Sequence, residues 1–227
     1  MRSVSRSHAG CVRAANEDRV LERPEMALWA VADGMGGHRH GAEAAAHVIA
    51  QLAGAVPNGS GHALLADITR RLQAANEELR AGKGGSTLVA LLIHEDHYAC
   101  LWAGDSRAYH LRDGRLTAIT RDHSVVQQMV DNGMLTEAER RSHPRAHVIT
   151  RAVGVDEKLL LDRRFARVTA GDRFLLCSDG LTICFDESEL AGHLAAPDLA
   201  AAADTLLETA LARGAPDNVS FILLAMD

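Results

Sequence analysis

The sequence predicts a layered α+β sandwich rather than a doubly wound parallel sheet. Residues 87–116 contain three apolar, strand-like runs that follow each other closely. Turns as short as Gly104-Asp105 and Asp113-Gly114 join them, and short turns join antiparallel strands, whereas parallel strands need a long crossover. The helical patterns lie elsewhere in the chain, which indicates separate layers of sheet and helix.

Seven apolar runs predict strands, and three segments with helical periodicity predict helices. The strands are expected at residues 19–21, 28–32, 87–93, 97–103, 108–111, 173–177 and 219–225. The helices are expected at residues 42–52, 60–80 and 198–213. Ser60 is a candidate N-cap for the second helix, and Gly82 and Gly214 would end the second and third. The polar segment 122–151 is expected to form a helical excursion over the sheets.

Composition and length are those of a single-domain globular protein, with 227 residues, 47% of them apolar and 24% charged. The formal net charge of −6 argues against a general affinity for nucleic-acid phosphates. This acidic excess is either a solubility feature or a sign of carboxylates that converge on cations. The four cysteines show no CxxC pairing, the N-terminus lacks the apolar segment of a signal peptide, and no apolar run approaches the ~20 residues that span a bilayer. These features predict a cytoplasmic protein without a nucleic-acid or membrane partner.

Acidic residues recur at the ends of the predicted strands. Four such positions share this placement: Asn16-Glu17-Asp18, Asp33-Gly34, Asp179-Gly180 and Asp217-Asn218. One Asp-Gly after a strand is commonly a simple turn, but the repetition favours a site at the rim of the core. Carboxylate and carbonyl oxygens suit Mg²⁺ or Mn²⁺ rather than zinc.

The glycine-rich stretch at residues 33–38 does not have the spacing of a phosphate-binding loop. Neither GxxxxGK[ST] nor GxGxxG occurs there, and the stretch contains no lysine. Its glycines allow unusual backbone dihedrals. We therefore interpret it as a loop whose backbone approaches a metal ion, with the Gly34 carbonyl as a candidate ligand.

Seven motifs in a fixed order carry a family resemblance. They are Arg13-x-x-Asn16-Glu17-Asp18, Asp33-Gly34-Met35-Gly36-Gly37-His38, Gly85-Ser86-Thr87, Gly104-Asp105-Ser106-Arg107, Thr120-Arg121-Asp122-His123-Ser124, Ser178-Asp179-Gly180-Leu181 and Asp217-Asn218. From about Ser5 to the C-terminus the chain resembles the PPM (type 2C) metal-dependent serine/threonine protein phosphatases, and within them the small bacterial branch. The resemblance implies one domain, residues 1–227, folded as an α–β–β–α sandwich of two antiparallel sheets with a flap subdomain at about residues 125–151.

The resemblance also implies the ligands of two Mn²⁺ or Mg²⁺ ions. Asp33 would bridge the two ions. Asp179 and Asp217 would complete the site of one ion, and Glu17 and the Gly34 carbonyl would hold the other.

Four further residues receive roles from the same resemblance. Asp122, together with Asp179, is associated with a third and weaker metal site. Arg13 would bind the substrate phosphate with a planar guanidinium that meets two oxygens at once. Asp18 would orient metal-bound water, because neighbouring strand side chains point to opposite faces and Glu17 and Asp18 cannot easily share one ion. Asn218 would support the ligands.

The implied reaction is hydrolysis of phosphoserine and phosphothreonine in proteins by a hydroxide that bridges the two ions, with Asp33 and Asp179 as catalytic ligands beside Arg13. No CxxxxxR motif of a cysteine phosphatase is present. Eukaryotic relatives carry a histidine directly after the first Asp-Gly, whereas this chain has Met35. The proton donor to the leaving group is therefore either a metal-bound water or a nearby histidine such as His38, which would otherwise order the loop.

Three further features of the sequence each allow two interpretations. The flap residues Arg140, Arg141, His143 and Arg145 either attract phosphorylated segments or form a solvated helix face. The hairpin at residues 104–107 is interpreted as structural despite its family motif. The histidine pairs 38/40 and 143/147 form no HExxH or zinc-finger spacing, which favours surface histidines over a zinc site.

The expected partners are phosphorylated proteins, in particular a separate Ser/Thr kinase or its targets, and the expected state is a monomer. The alternative is a catalytically silent regulator that binds phosphoproteins. Such a protein would show degenerate metal ligands, and none of the ligands implied here is degenerate. A broad role and dephosphorylation of one regulatory protein both fit the sequence.

Overall fold

The fold contains twelve strands and seven helices within the residues that the structure, a computed structural model, describes: 1–36, 39–56, 59–82, 84–140 and 142–226. The strands are β1 (Arg2–His8), β2 (Arg19–Arg23), β3 (Leu28–Ala32), β4 (Gly34–Met35), β5 (Gly85–Ser86), β6 (Leu88–His94), β7 (His97–Ala103), β8 (Arg107–Arg112), β9 (Arg115–Ala118), β10 (Asp162–Arg167), β11 (Arg173–Cys177) and β12 (Val219–Ala225). The helices are α1 (Arg39–Ala53), α2 (Gly61–Arg80), α3 (Val125–Asp131), α4 (Glu137–Arg140), α5 (Asp179–Cys184), α6 (Glu187–Ala195) and α7 (Leu199–Ala212).

Two five-stranded antiparallel sheets form the centre of the molecule. One has the order β1-β12-β11-β8-β9 and the other the order β10-β7-β6-β3-β2. The antiparallel pairs β6–β7 and β8–β9 are each joined by a short turn, as expected for this segment. The expected hairpin at Gly104-Asp105 is wrong, because this turn connects β7 in one sheet to β8 in the other. A separate two-stranded ribbon, β4-β5, extends the glycine-rich loop.

Three apolar layers show that the architecture is the expected α–β–β–α sandwich. Side chains on β3 alternate, so that Leu28 and Ala30 contact α1 and α2 whereas Trp29 and Val31 fill the space between the sheets. The outer face of the other sheet packs on α5, α6 and α7. The central strands are therefore buried on both faces, which is why their sequences are continuously apolar rather than alternating. Each fully buried side chain of the size of Phe174 contributes about 1.5–3 kcal/mol.

The helix ends follow the predicted capping chemistry. The Ser60 hydroxyl accepts a hydrogen bond from the Ala63 N–H at 3.1 Å, and the Asp198 carboxylate accepts from Ala200 and Ala201. Such caps satisfy N–H groups that have no partner within the helix. None of the helices in the described ranges is long and apolar enough to cross a membrane.

The sequence interpretation missed edge strands and short helices. β1 and β10 are polar strands at sheet edges, where only part of each strand needs to be apolar. Asp179 follows strand β11 as expected, but it is also the first residue of helix α5, which the sequence interpretation did not include. A helix of six residues is too short to show a helical period in the sequence.

The polar segment 122–151 is only partly helical, with α3 and α4 separated by turns. The segment leaves the sheets and returns to them at the same place, where Ser124 and Ile149 form an antiparallel bridge. The Val125 N–H donates to the Val148 carbonyl at 2.8 Å and reinforces this junction. The assignment of residues 125–151 as a flap subdomain remains a prediction.

A buried ion-pair cluster at the far end of β11 supplies acid-sensitive stability. Asp172 is 1% exposed and accepts hydrogen bonds from Arg112 Nε at 2.7 Å and the Thr169 N–H at 2.8 Å, with His110 Nε2 3.1 Å away. Burial alone would raise the pKa of Asp172, but these partners hold it at about 2. This pKa lies below the ~3.9 of an unfolded aspartate, so the carboxylate stabilises the fold above about pH 4 and loses that effect as the pH falls to 2.

We expect wild-type protein to lose about 2 kcal/mol of unfolding free energy from this group between pH 5 and pH 2. The variant Asp172→Asn should be less stable at neutral pH and lose less stability over the same range. Urea unfolding of both proteins at several pH values measures the difference. Parallel pH curves for the two proteins would contradict the assignment.

Candidate active site

One cleft of about 670 Å³ collects acidic side chains from five separate segments of the chain. Its acidic lining residues are Glu17, Asp33, Asp105, Asp179 and Asp217. Arg13 and Gly34 also line it. All of these except Asp105 were predicted as site residues from the sequence.

Strand register brings these acids together at one end of the sandwich. Arg19 pairs with Ala32, so the residues before β2 lie beside the residue after β3, which is Asp33. In the other sheet, Cys177 pairs with both Phe221 and Arg107. The residues after β11, before β12 and before β8 are therefore neighbours, and they carry Asp179, Asp217 and Asp105.

Close backbone approach places the Gly34 carbonyl next to the Glu17 carboxylate. A Cβ atom on Gly41 would lie 2.3 Å from Glu17 Oε2 and 2.8 Å from the Gly34 carbonyl oxygen. A Cβ atom on Gly34 would lie 2.0 Å from the Gly41 carbonyl oxygen. Glycine is therefore required at both positions. The Glu17 carboxylate oxygen and the Gly34 carbonyl oxygen, which are predicted to bind the same ion, both lie against Gly41 of α1.

Asn218 holds the N-terminal segment that carries Arg13 and Glu17. Its Nδ2 donates to the carbonyls of Ala9 and Ala15, each at 2.9 Å, and its Oδ1 accepts from the Glu17 N–H at 2.8 Å. The buried Asn218 side chain therefore holds this segment at Ala9, Ala15 and Glu17, beside the start of β12. This geometry agrees with the supporting role expected for Asn218.

Asp18 lies beneath the cleft and is 2% exposed. Its Oδ2 accepts from the Ser178 hydroxyl at 2.8 Å, whereas its Oδ1 has no hydrogen-bond partner among the described residues. Burial raises the pKa of Asp18, hydrogen bonding to Ser178 lowers it in part, and the charges of Asp179 and Asp217 add smaller increases, so that the pKa lies at about 6. The carboxylate with its unpaired oxygen is suited to accept from a group in the cleft.

The remaining acids repel each other. Burial, followed by the charges of Asp18 and Asp179, raises the pKa of Asp33 well above its usual value. Burial and the charge of Asp179 raise the pKa of Asp105 to about 8. A cluster that resists holding its own negative charge fits divalent cations, which would relieve both the repulsion and the desolvation.

The Gly85-Ser86-Thr87 motif holds Asp33 by its backbone. The Asp33 N–H donates to Thr87 Oγ1 at 3.0 Å, and the Asp33 carbonyl accepts from the Thr87 N–H at 2.8 Å. Thr87 Oγ1 also lies 2.7 Å from Ser106 Oγ. This network connects the strand end that carries Asp33 to the turn that carries Asp105.

Two cationic side chains face the acids. Arg13 donates to both oxygens of Asp217, Nε to Oδ1 at 2.9 Å and Nη2 to Oδ2 at 2.6 Å, and this contact raises the pKa of Arg13. His147 Nδ1 lies 3.9 Å from Asp179 Oδ2, and that interaction raises the pKa of His147. Within the described residues, no three His, Cys, Asp or Glu side chains lie close enough together to hold a metal ion in this arrangement. Arg13 occupies one acceptor position on each Asp217 oxygen, which leaves a second lone pair on each oxygen for a cation.

Asp122, predicted as a ligand of a third ion, does not line this cleft. Arg107 donates to both of its oxygens, at 2.8 and 2.6 Å, and Arg140 adds a third hydrogen bond at 3.1 Å. Its side chain is 8% exposed. Asp105, by contrast, lines the cleft and is 9% exposed. The interpretation of residues 104–107 as merely structural was therefore incomplete. Its position in a family motif was the signal available in the sequence.

The histidine and flap predictions have mixed outcomes. His38 and Arg141 lie outside the described residues. Met35 lines the cleft. Among the described histidines, His147 lines it. Arg140 is bound to Asp122 and is therefore not a free cation for substrate.

Comparison with known proteins gives a consistent picture. Residues 7–218 match the family described as Protein phosphatase 2C. The chain is 41% identical over 98% of its length to the serine/threonine protein phosphatase PstP of Mycobacterium tuberculosis. It spans only 44% of that relative's own length.

Two solved structures share the fold. PppA of Pseudomonas aeruginosa, described as a key regulatory component of its T6SS, is 43% identical, with a TM-score of 0.91 over 99% of this chain and 96% of its own. The catalytic domain of PstP in complex with two manganese ions is 38% identical, with a TM-score of 0.85 over 98% of this chain and 96% of its own.

Proposed function

The chain belongs to the protein phosphatase 2C family, and on that premise we propose that it hydrolyses phosphoserine and phosphothreonine in proteins with the help of two Mn²⁺ or Mg²⁺ ions. One observation carries the proposal. Five carboxylates from five segments converge in one cleft, together with a guanidinium. The similarity to a phosphatase domain solved with two manganese ions supports the same metals here.

The donor set fits hard divalent cations. Asp33, Asp179 and Asp217 offer carboxylate oxygens, and Glu17 with the Gly34 carbonyl offers a second group of oxygen ligands. When bound, two such ions supply a nucleophile from water at neutral pH and neutralise charge on the phosphoryl group. Phosphomonoester hydrolysis is among the slowest uncatalysed reactions, so a large electrostatic contribution is needed.

The protein's own side chains would position the substrate. Arg13 is 57% exposed at the cleft, and its Nη1 group has no partner within the described part of the chain. That free end would bind a phosphoryl oxygen while Nε and Nη2 keep the guanidinium oriented. Asn218 fixes the segment that carries Arg13, and Asp18 would orient water from below the cleft.

A third cation would take Asp105 and Asp179 rather than Asp122. Asp105 and Asp179 line the same cleft, and the charges of Asp179 and then Asp122 contribute to the raised pKa of Asp105. Unlike Asp217, Asp122 does not line the cleft, and its carboxylate accepts three hydrogen bonds, two from Arg107 and one from Arg140. We therefore assign Asp122 to the support of the fold.

Metal-dependent hydrolysis provides the direct test. Purified protein with excess Mn²⁺ should hydrolyse p-nitrophenyl phosphate and a phosphothreonine peptide, and excess chelator should abolish both activities. An autophosphorylated Ser/Thr kinase, as a third substrate, tests whether the activity opposes such kinases. Metal binding without hydrolysis of any substrate would instead support a catalytically silent phosphoprotein-binding regulator. Hydrolysis that survives the chelator would contradict the metal assignment.

A further inference from the structure

The cleft has an apolar side as well as an acidic one. Ile183 and Ile149 both line it, although they belong to segments far apart in the chain. Ile183 is 40% exposed, whereas Leu181 and Thr182 beside it in α5 are 0% and 7% exposed. A single exposed isoleucine is ordinary on a protein surface. The cleft that collects the carboxylates therefore also offers two apolar side chains to a bound substrate.

Helix geometry places Ile183 at a defined distance from the reacting centre. Asp179 and Ile183 are four residues apart in α5 and therefore lie one above the other on the same face. One helical turn advances about 5.4 Å, and an extended peptide advances about 3.3 Å per residue. Ile183 is thus displaced from Asp179 by a distance comparable with one to two residues of a bound peptide.

The backbone around Ile149 is fixed at the junction of segment 122–151 with the sheets. Ile149 forms the bridge with Ser124, and the Thr150 N–H donates to the His123 carbonyl at 2.7 Å. His147 and Ile149 line the cleft, whereas Val148 does not and is 46% exposed. The apolar side chain is therefore held toward the cleft by backbone hydrogen bonds.

We infer that Ile183 and Ile149 bind the apolar side chain of a residue next to the phosphorylated serine or threonine. The occupant is a segment of the substrate protein, because the isoleucines are continuous with the cleft where its phosphate would bind. The inference rests on the proposed phosphatase function and names its preferred substrates: phosphorylated segments with an apolar flank.

Matched peptides test this preference without changing charge. Two phosphothreonine peptides would be identical except that leucine or its near-isostere asparagine occupies both positions beside the phosphothreonine. We expect wild-type protein to show kcat/KM about tenfold higher for the leucine peptide, the lower end of discrimination by an apolar pocket. The ratio of the two values, measured on one preparation, cancels differences in metal content and active fraction.

Variants of Ile183 assign the preference to the cleft. Ile183→Asn should reduce the leucine-to-asparagine ratio to about twofold, and Ile183→Val should keep most of it. Ile149→Asn should also lower the ratio. Leu160→Asn is the matched control, because Leu160 is an exposed apolar residue, 54% exposed, that does not line the cleft. Its ratio should equal that of the wild type.

Each outcome is decisive. A wild-type ratio near one, with both peptides and p-nitrophenyl phosphate hydrolysed, would overturn this inference and leave the proposed function standing. An unchanged ratio in Ile183→Asn and Ile149→Asn would overturn the assignment to these residues. Failure of the wild type to hydrolyse p-nitrophenyl phosphate and both peptides would remove the proposed function and this inference with it.

Discussion

Replacing Asp33 with asparagine should lower kcat for Mn²⁺-dependent hydrolysis of p-nitrophenyl phosphate about 10³-fold. The expected bridging position makes Asp33 a ligand of both ions, and metal ions supply several kcal/mol of transition-state stabilisation, each 1.36 kcal/mol of which is tenfold in rate. Asparagine keeps the size of the side chain and its carbonyl oxygen but not the negative charge. Steady-state kinetics over a range of Mn²⁺ concentrations measure the loss and show whether added metal restores activity.

The same variant should be more stable than wild type when metal is absent. Burial and neighbouring carboxylates raise the pKa of Asp33, so its charge destabilises the metal-free fold at neutral pH. Its removal should raise Tm in chelator by roughly 2–4 °C, as expected for about 1 kcal/mol in a chain of this length. The increase in Tm that Mn²⁺ gives to the wild type should shrink in the variant, because less metal binds to the folded state.

Asp156→Asn is the control for both measurements, because Asp156 is exposed and does not line the cleft. It should change neither kcat nor the response of Tm to Mn²⁺. An Asp33→Asn variant with near wild-type activity would contradict the two-metal assignment. A variant that is inactive and also less stable in chelator would show that Asp33 supports the fold rather than a cation.

Buried strands and capped helices were predictable because local chemistry determines them. The runs at 28–32, 97–103, 173–177 and 219–225 became strands with the predicted bounds, since strands covered on both faces must be apolar throughout. Ser60 begins α2 as expected, because a hydroxyl cap acts within three residues. β1 and β10 were missed because edge strands obtain their partners from distant segments, which no local pattern records.

The site was predictable wherever a family motif coincided with an acidic residue at the end of a buried strand. Glu17, Asp33, Asp179 and Asp217 follow that pattern and line one cleft. Asp105 fits a turn equally well in sequence, and its place in the cleft depends on the pairing of Arg107 with Cys177. The ion pair of Asp122 with Arg107 was not predictable from the sequence, because it joins residues fifteen positions apart.

Exchanging each of these two aspartates for asparagine should separate support of the fold from metal binding. Asp122→Asn leaves Arg107, whose side chain is 15% exposed, without its charged partner. Breaking a buried pair in this way costs about 3 kcal/mol, which corresponds to a fall in Tm of roughly 6–10 °C. Asp105→Asn removes a carboxylate whose pKa is raised by burial and by Asp179, so it should not destabilise the protein, but it should weaken the response of kcat to Mn²⁺ at least about tenfold.

Both variants are measured by thermal unfolding in chelator and by kinetics against Mn²⁺ concentration. If the assignment is correct, Asp122→Asn lowers Tm without changing the response of kcat to Mn²⁺. Asp105→Asn weakens that response without lowering Tm. Asp131→Asn is the matched control for the ion pair, because Asp131 bonds Arg121 on the surface of the same segment, with side chains 38% and 60% exposed. Solvent screens that pair, so its loss should change Tm little. The opposite result, in which Asp122→Asn is stable but altered in its Mn²⁺ dependence, would mean that Asp122 is a ligand of the third ion. It would also mean that Arg107 releases this carboxylate when a cation binds.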